Sequence, residues 1–588
     1  MSGKTPMEKT FQGIGVSPGV ARGTIYVFSV ADEVVPEYDV KPDDVAKEIT
    51  RFEQALIATR QQLHELQQRI ATGIGSNAPT SILDVHLSLT EDPALIDQVT
   101  SRLESEKKNV EFIFHDVARK YVKTMQELQD EFFRERSIDV QDVNRRILSN
   151  LLGREQRALT QLPANTIVVA NDLAPSDTSA LDRTHVIGFA TDVGSHTSHT
   201  AIMARSMNLP AVVGLHDASQ HLHDGQIAIL DGYSGTLIVE PSEQTLYVYG
   251  QLEVKRHSLE ERLATLRDLP AETLDGHRVA VSGNIELPAD VPALTRVGAE
   301  GIGLFRTEFL FLDREELPDE EEQYRAYLEV ARLVQPHAVI IRTLDLGGDK
   351  LPAGDRIPSE SNPFLGLRGI RYCLANPEVF QTQLRAILRA STAGNIRIMY
   401  PMISGVAEVI QANELLEQVK FDLRQEGAAF HEEVEVGAMI EVPSAALTAE
   451  MIASEVDFFS IGSNDLIQYT MAVDRVNERV ANLYEPTHPA ILRLIRGCVE
   501  SAHNNGIWVG VCGEIAGDPI YVPLLVGMGV DELSVGAASL PRIKEVIRRL
   551  TYREAQEVAA ASLHTNNGRD VLAMLNALLQ RIDPDLLS

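Results

Sequence analysis

The chain has 588 residues, 44% of them hydrophobic and 23% charged, with 84 acidic against 53 basic side chains and a formal charge of −31. Such a length exceeds one hydrophobic core and leaves room for three or four domains. The charge argues against nucleic-acid and anionic-membrane partners, because phosphate contacts need clustered cations.

No apolar run is long enough to cross a bilayer, and Met1 to Gly15 lacks the apolar core of a signal peptide, so a cytoplasmic protein is expected. Phe11 to Phe28 alternates apolar and small residues around Ser17-Pro18-Gly19 and reads as a β-hairpin that joins a later sheet. From Pro42 the period lengthens. Val45, Ile49, Phe52, Leu56, Leu63, Leu66 and Ile70 lie on one helical stripe, and further stripes run through Val110, Ile113, Val117, Tyr121 and Leu128 and through Val140, Val143, Ile147 and Leu151. Breaks fall near Ser76 to Pro79 and Glu91 to Pro93. The spacing predicts an all-α module of about four helices, either a plain bundle or a docking surface for a partner.

After Gly153 strands return at Ala164 to Ala170, Val186 to Ala190, Ala211 to Gly214 and Gln226 to Leu230, which makes an α/β domain interrupted by the helical module. Pro241 to Asp268 suits a linker helix, ended at Leu269-Pro270. Eight short apolar strands follow, at Val279 to Ile285, Gly301 to Phe305, Ala338 to Ile341, Ile396 to Tyr400, Val436 to Ile440, Phe458 to Gly462, Trp508 to Val511 and Glu532 to Gly536. They specify a (β/α)8 TIM barrel. The predicted division is residues 1–40 with 154–240 (α/β), 41–153 (helical), 241–270 (linker) and 271–588 (barrel).

Barrel enzymes place their chemistry just beyond the C-terminal ends of the strands. Here those ends carry Arg306-Thr307-Glu308, Arg342-Thr343-Leu344-Asp345, Glu441, Ser463-Asn464-Asp465 and Cys512-Gly513-Glu514. A single charged strand end is usually a structural ion pair, but five of them on one face fit a small phosphorylated carboxylate. Arg306 and Arg342 offer planar forks to phosphate oxygens. Glu441 and Asp465 are hard oxygen ligands suited to Mg²⁺. Asn464 can hydrogen-bond the same anion, and Arg475 and Arg368 can close over it. The three cysteines, Cys373, Cys498 and Cys512, are odd in number and too far apart for a disulfide framework. Cys512 ends its strand, and its thiol, protonated at neutral pH, can give a proton to a carbanion or enolate at the mouth.

Within Gly194 to Arg205, His199 stands where a strand yields to a helix over Thr200 to Met207. Free N–H groups at a helix start favour an anion, and Thr197, Ser198 and Thr200 add hydroxyl donors. A neutral imidazole there can accept a phosphoryl group.

Gly-x-x-Thr-Ser-His-x-x-Ile-Met-Ala-Arg-Ser at 194 to 206, Gly303 to Phe311, Asp345 to Lys350 and Asp457 to Leu466 resemble the enzyme I family of the bacterial sugar phosphotransferase system. The likeness extends to Leu173 to Leu181 and the helical insertion. It implies that phosphoenolpyruvate and Mg²⁺ bind the barrel, that His199 in a swivelling domain takes the phosphoryl group as pyruvate leaves, and that the group passes to the carrier protein HPr. It further implies that Arg306, Arg342, Asn464 and Arg475 bind substrate, that Glu441 and Asp465 hold the metal, and that Cys512 is the proton donor. A homodimer through the barrel and HPr docking on the helical insertion are also implied. The family usually has Arg or Lys before Thr-Ser-His, where this chain has His196. That residue is either a titratable substitute or a bystander.

Pyruvate phosphate dikinase and phosphoenolpyruvate synthase resemble the histidine and barrel parts, but they require a nucleotide-binding domain before the histidine. Phe11 to Gly153 shows no Gly-rich phosphate loop. A non-catalytic, phosphate-responsive regulator is the alternative of another class.

Overall fold

The computed structural model describes residues 8–28, 35–73, 87, 90, 92–127, 140, 143–153, 162–173, 185–194, 199–207, 209–312, 314, 316–347, 362–475, 477 and 479–587. The chain divides into two units, Met1–Val254 and Lys255–Ser588.

In the first unit, strands β1 (Lys9–Gln12), β2 (Ile14–Ser17), β3 (Val20–Phe28), β4 (Thr166–Ala170), β5 (Val186–Thr191), β6 (Ala211–Val213), β7 (Ile227–Asp231) and β8 (Thr236–Val239) form one sheet. Its order is β1-β8-β7-β3-β4-β5-β6-β2. The expected hairpin is corrected. β2 and β3 flank the Ser17-Pro18-Gly19 turn but do not pair with each other: β2 lies antiparallel to β6 at the edge, while β3 lies between β7 and β4. The turn separates the two strands because each finds its partners elsewhere, and local turn chemistry carries no information about that choice. β8, which the strand pattern did not anticipate, pairs with β7 across Gly232 to Gly235.

β3 and β4 are parallel, and a parallel pair needs a crossover connection. The helical module lies within that crossover. Its described helices are Val45–Gly73, Pro93–Glu106, Val110–Glu127 and 143–151. Of the stripes read from the sequence, Phe52, Leu56, Val110, Ile113, Val117, Val143, Ile147 and Leu151 are buried together with Val99 and Phe114; Tyr121 is instead exposed, and the side chains of Leu66, Ile70 and Leu128 lie outside the described residues. The break at Ser76 to Pro79 lies outside the described residues. Alternation along the sheet sends Val168, Ala170, Phe189 and Val213 to one face and Ile167, Val169, Ala190 and Val212 to the other. Helix His199–Met207 covers the first face with Ala201, Met203, Ala204 and Met207.

Within the stretch read as a linker, Glu243–Ala264 is a helix, and the division between units falls inside it. Its C-terminal part belongs to the second unit. Leu259 packs into the core there, and Arg262 pairs with Glu545 at 3.1 Å and also with Asp583.

The second unit is a closed parallel barrel of β9 (Ala280–Ile285), β10 (Ile302–Arg306), β11 (Val339–Arg342), β12 (Ile396–Tyr400), β13 (Val436–Ile440), β14 (Phe458–Gly462), β15 (Trp508–Cys512) and β16 (Glu532–Val535). All eight expected strands are present. Inside it, Leu304, Ile340, Met399, Met439, Phe458 and Cys512 make a cluster separate from the helix-facing core. Phe458 and Trp508, the first residues of β14 and β15, stack with centroids 4.6 Å apart, and Arg397 lies over the Trp508 ring at 5.1 Å. These rings fill the N-terminal end of the barrel, so polar side chains gather at the other end.

Candidate active site

Strands β10, β11, β13, β14 and β15 each deliver charged or polar residues to one mouth. Arg342, the last residue of β11, is 9% exposed. Its Nη2 lies 3.1 Å from Glu308 and its Nη1 3.2 Å from Asp345. Burial works against the Arg342 charge, but Glu308, Asp345 and Glu441 outweigh it and hold the guanidinium ionised. Asp345 also takes a fork from Arg368, with Nη2 at 3.1 and 3.0 Å from its two oxygens. Arg368 Nη1 lies 3.9 Å from Asp465 and 3.4 Å from the Tyr469 hydroxyl. Tyr469 in turn donates to the Phe364 carbonyl at 2.6 Å, and burial pushes its hydroxyl up to about 12.

Glu441 follows β13 and is 1% exposed. One carboxylate oxygen accepts from the Met402 amide at 2.6 Å, while the other is buried with no partner. Burial first, then the nearby Asp465 and Asp345 charges, raise its pKa well above the usual range, and Arg342 and the Met402 amide only partly oppose this. Gly462 ends β14 beside it: a Cβ at that position would lie 2.7 Å from Glu441 Oε2. The unpartnered oxygen therefore sits against bare backbone.

Asn464 and Asp465 open the helix Ser463–Met471 that follows β14. The Glu514 amide donates to Asn464 Oδ1 at 2.9 Å, which orients the Asn464 side chain. Glu514 Oε1 then lies 3.5 Å from Asn464 Nδ2 and 3.3 Å from Arg475 Nη1. On the other side Arg306 Nη1 pairs with Glu286 at 3.0 Å. Cys512 is 3% exposed. Its Sγ accepts from Ser460 at 3.5 Å and donates to the Ile461 carbonyl at 3.6 Å. Burial raises the thiol pKa, and the Ser460 hydroxyl works the other way.

The mouth thus joins Arg306, Arg342, Arg368, Asn464, Asp465, Arg475, Glu441 and Cys512. Six carboxyl groups (Glu286, Glu308, Asp345, Glu441, Asp465, Glu514) face four guanidinium groups, and burial among them disfavours the charged form of Glu441. Among the described residues no three His, Cys, Asp or Glu side chains form a closed cage.

Glu308, Asp345 and Glu514, read from the sequence only as strand-end residues, are the arginines' partners. Glu286, the partner of Arg306, and Ser460, the partner of the thiol, were not singled out from the sequence. Ser460 did leave a trace: it is the one hydroxyl at an inward position of a strand whose other inward side chain is Phe458. Gly348, Asp349 and Lys350 of the third-strand motif lie outside the described residues.

His199 belongs to the first unit. Its backbone begins the helix His199–Met207, whose first turn carries no acidic side chain, and Thr200 Oγ1 is held by the Leu173 carbonyl at 3.3 Å. A helix start free of carboxylates favours an anion. The His199 side chain, all of His196, Thr197 and Ser198, and the stretch after Leu173 lie outside the described residues.

Three family models match the chain. They are described as the PEP-utilising enzyme N-terminal region (residues 12–136), its mobile domain (162–235) and its PEP-binding domain (260–552). A phosphoenolpyruvate-protein phosphotransferase of Staphylococcus aureus (strain MSSA476) is 39% identical over 570 residues, 97% of this chain and 99% of the relative. Those of Geobacillus stearothermophilus and Bacillus subtilis (strain 168) are each 41% identical, over 97% and 96% of this chain and 99% and 98% of theirs. A solution structure titled Enzyme I is 35% identical, with TM-score 0.37, covering 42% of this chain and 99% of that one.

Proposed function

The chain belongs to the phosphoenolpyruvate-protein phosphotransferase family, and on that premise we propose which groups carry the reaction and where the phosphoryl group goes. The enzyme transfers the phosphoryl group of phosphoenolpyruvate to protein. In the proposed mechanism, Arg306 and Arg342 take the phosphoryl oxygens, Asn464 and Arg475 hold the same anion, and Arg368 closes over it. Buried Arg342 arrives pre-aimed by Glu308 and Asp345, so little rotamer freedom is lost on binding.

Glu441 and Asp465 would hold Mg²⁺. Three features support this: the unpartnered buried Glu441 oxygen, the excess of carboxyl groups over guanidiniums, and the nearness of the Glu441 and Asp465 carboxyl groups, hard oxygen donors of the kind Mg²⁺ takes alongside waters and phosphate. When bound, the ion neutralises charge on the substrate oxygens. A nitrogen of His199 attacks phosphorus in line. The N–P bond forms as the P–O bond to the enol oxygen breaks, and the Cys512 thiol gives its proton to the enolate methylene, releasing pyruvate. The thiolate recovers its proton from water. The helix start at His199 stabilises the phosphoryl group in transit.

Because His199 and the mouth lie in different units, His199 must visit both the mouth and the acceptor. The segment 241–270 is the hinge in this reading. The acceptor is HPr, docking on the helical insertion 41–153, where Ile57 and Tyr121 expose apolar surface; this makes the reaction the first step of sugar uptake. Exposed Leu365, Leu447 and Met451 on the barrel support homodimerisation there. Among the described residues no helix is long and apolar enough to cross a membrane, in keeping with a cytoplasmic enzyme.

The observation that carries the reading is the single mouth where four arginines and the half-satisfied Glu441 converge. Incubation with phosphoenolpyruvate and Mg²⁺, followed by intact mass, pyruvate assay and addition of HPr, tests it. One phosphoryl group per chain, equimolar pyruvate and transfer to HPr are expected. Neither phosphoprotein nor pyruvate would refute it.

A further inference from the structure

The four arginines at the mouth are all paired with carboxylates, but the pairs are of two kinds. Arg342 with Glu308 and Asp345 is buried: the side chains are 11%, 9% and 3% exposed. Breaking such a pair would strand charge away from water, so these contacts persist through binding. Arg306 with Glu286 and Arg475 with Glu514 lie at the rim, 36% with 42% and 37% with 72% exposed. A half-exposed pair is weak, and water takes up either partner once it separates. Each rim pair also has one contact only, Nη1 to a single oxygen, so the rest of the fork is not committed to the carboxylate.

We propose that Glu286 is an exchangeable counter-anion for the phosphoryl group: it holds Arg306 until a phosphoryl group displaces it, and reclaims Arg306 when that group departs on the histidine. Glu514 does the same at Arg475. The proposal rests on the assignment of Arg306 and Arg475 to substrate binding made above.

Both carboxylates have a stable alternative in solvent, and both are anchored at the backbone. The Glu286 amide donates to Asp290 at 3.0 Å and the Glu514 amide to Asn464 at 2.9 Å, so only the side chain moves. The exchange addresses a problem that a relay enzyme has and a simple hydrolase lacks. A receptor strong enough to bind the phosphoryl group would also retain it on the histidine. An internal anion that returns to the same guanidinium restores its charge partner as the phosphoryl group leaves. Dianionic phosphate, with more lone pairs and charge, outcompetes a single carboxylate oxygen on arrival.

The test is calorimetric titration of the full-length chain with Mg²⁺ and phosphoenolpyruvate in a His199→Ala background, where no transfer follows binding. Glu286→Gln removes the competing charge and keeps the shape, so the Kd for phosphoenolpyruvate should fall about two- to fivefold. The Kd for pyruvate, which carries no phosphoryl group, should stay where it was. Glu514→Gln should also tighten phosphoenolpyruvate. In an Arg306→Gln background the Glu286→Gln gain should vanish. An unchanged or raised Kd for phosphoenolpyruvate in Glu286→Gln would overturn the proposal, because the carboxylate would then only aim the arginine. Equal tightening of pyruvate would overturn it too. If Arg306→Gln alone left phosphoenolpyruvate affinity intact, the substrate-binding assignment itself would fail, an outcome distinct from the first two.

Discussion

Ser460 Oγ lies 3.5 Å from Cys512 Sγ across neighbouring strands of the barrel, with the thiol's own proton directed at the Ile461 carbonyl. The contact resolves a tension in the proton-donor role. Burial keeps the thiol protonated, which a donor needs, but also penalises the thiolate left behind. The hydroxyl donates to sulfur and offsets part of that penalty. Because burial raises the folded pKa above that of a free thiol, the thiolate fraction at neutral pH is small and grows as pH rises through that raised value. Alkylation of Cys512 by iodoacetamide, read by peptide mass, should therefore be slow at pH 7.5 and still accelerating above pH 9. Ser460→Ala should move the inflection higher and slow pyruvate release. A Cys512 inflection below about 8.5, the free-thiol value, would contradict the description.

Arg342 is expected to resist conservative replacement. Its two amino groups contact different carboxylates, Glu308 and Asp345, a geometry that one ammonium cannot reproduce. Arg342→Lys should lower kcat/KM for phosphoenolpyruvate by about 10- to 100-fold, the cost of about one to two charge-assisted contacts. Arg342→Ala should in addition lose about 3 to 5 kcal/mol of stability in denaturant titration, because two buried carboxylates are left facing each other. Near-normal kinetics for the lysine variant would show that the fork is not used.

Gly462→Ala tests the carboxylate proposed to hold Mg²⁺ without altering it. The new Cβ would come within 2.7 Å of Glu441 Oε2 and 2.8 Å of Glu441 Cβ, so the carboxylate must turn or shift. The Mg²⁺ concentration for half-maximal activity should rise about tenfold, equivalent to roughly 1.4 kcal/mol, with the melting temperature little changed. A variant whose Mg²⁺ dependence matched the parent would place the ion elsewhere.

Much of the barrel was legible because each of its strands is a short apolar run set between turn residues. Ile396–Tyr400, Val436–Ile440 and Phe458–Gly462 match their expected bounds residue for residue. Strand-end position then put Arg306, Arg342, Glu441, Asp465 and Cys512 at one mouth before any contact was known. What stayed hidden was pairing over distance. Ser17-Pro18-Gly19 looks like a hairpin turn, yet β2 and β3 choose partners on different parts of the sheet, a choice made by tertiary packing. Ser460 and Cys512 are 52 residues apart, and Glu286 and Arg306 are 20 apart on different strands' ends. No local periodicity encodes such contacts. They follow only once the strands are in register, which is why the strand-end arginines and carboxylates Glu308, Asp345 and Glu514 could be named from sequence but not who pairs with whom, and why Glu286 was missed altogether.

The central claim is that His199 carries the phosphoryl group between the barrel and the acceptor. The most direct measurement is labelling with ³²P-phosphoenolpyruvate and Mg²⁺ under alkaline quench, followed by peptide mapping of the parent, His199→Ala and His196→Ala proteins. The account predicts acid-labile label on the peptide holding His199, its loss in His199→Ala, and its retention in His196→Ala, with transfer to added HPr in the last. Label that survived His199→Ala, or that vanished only in His196→Ala, would contradict it.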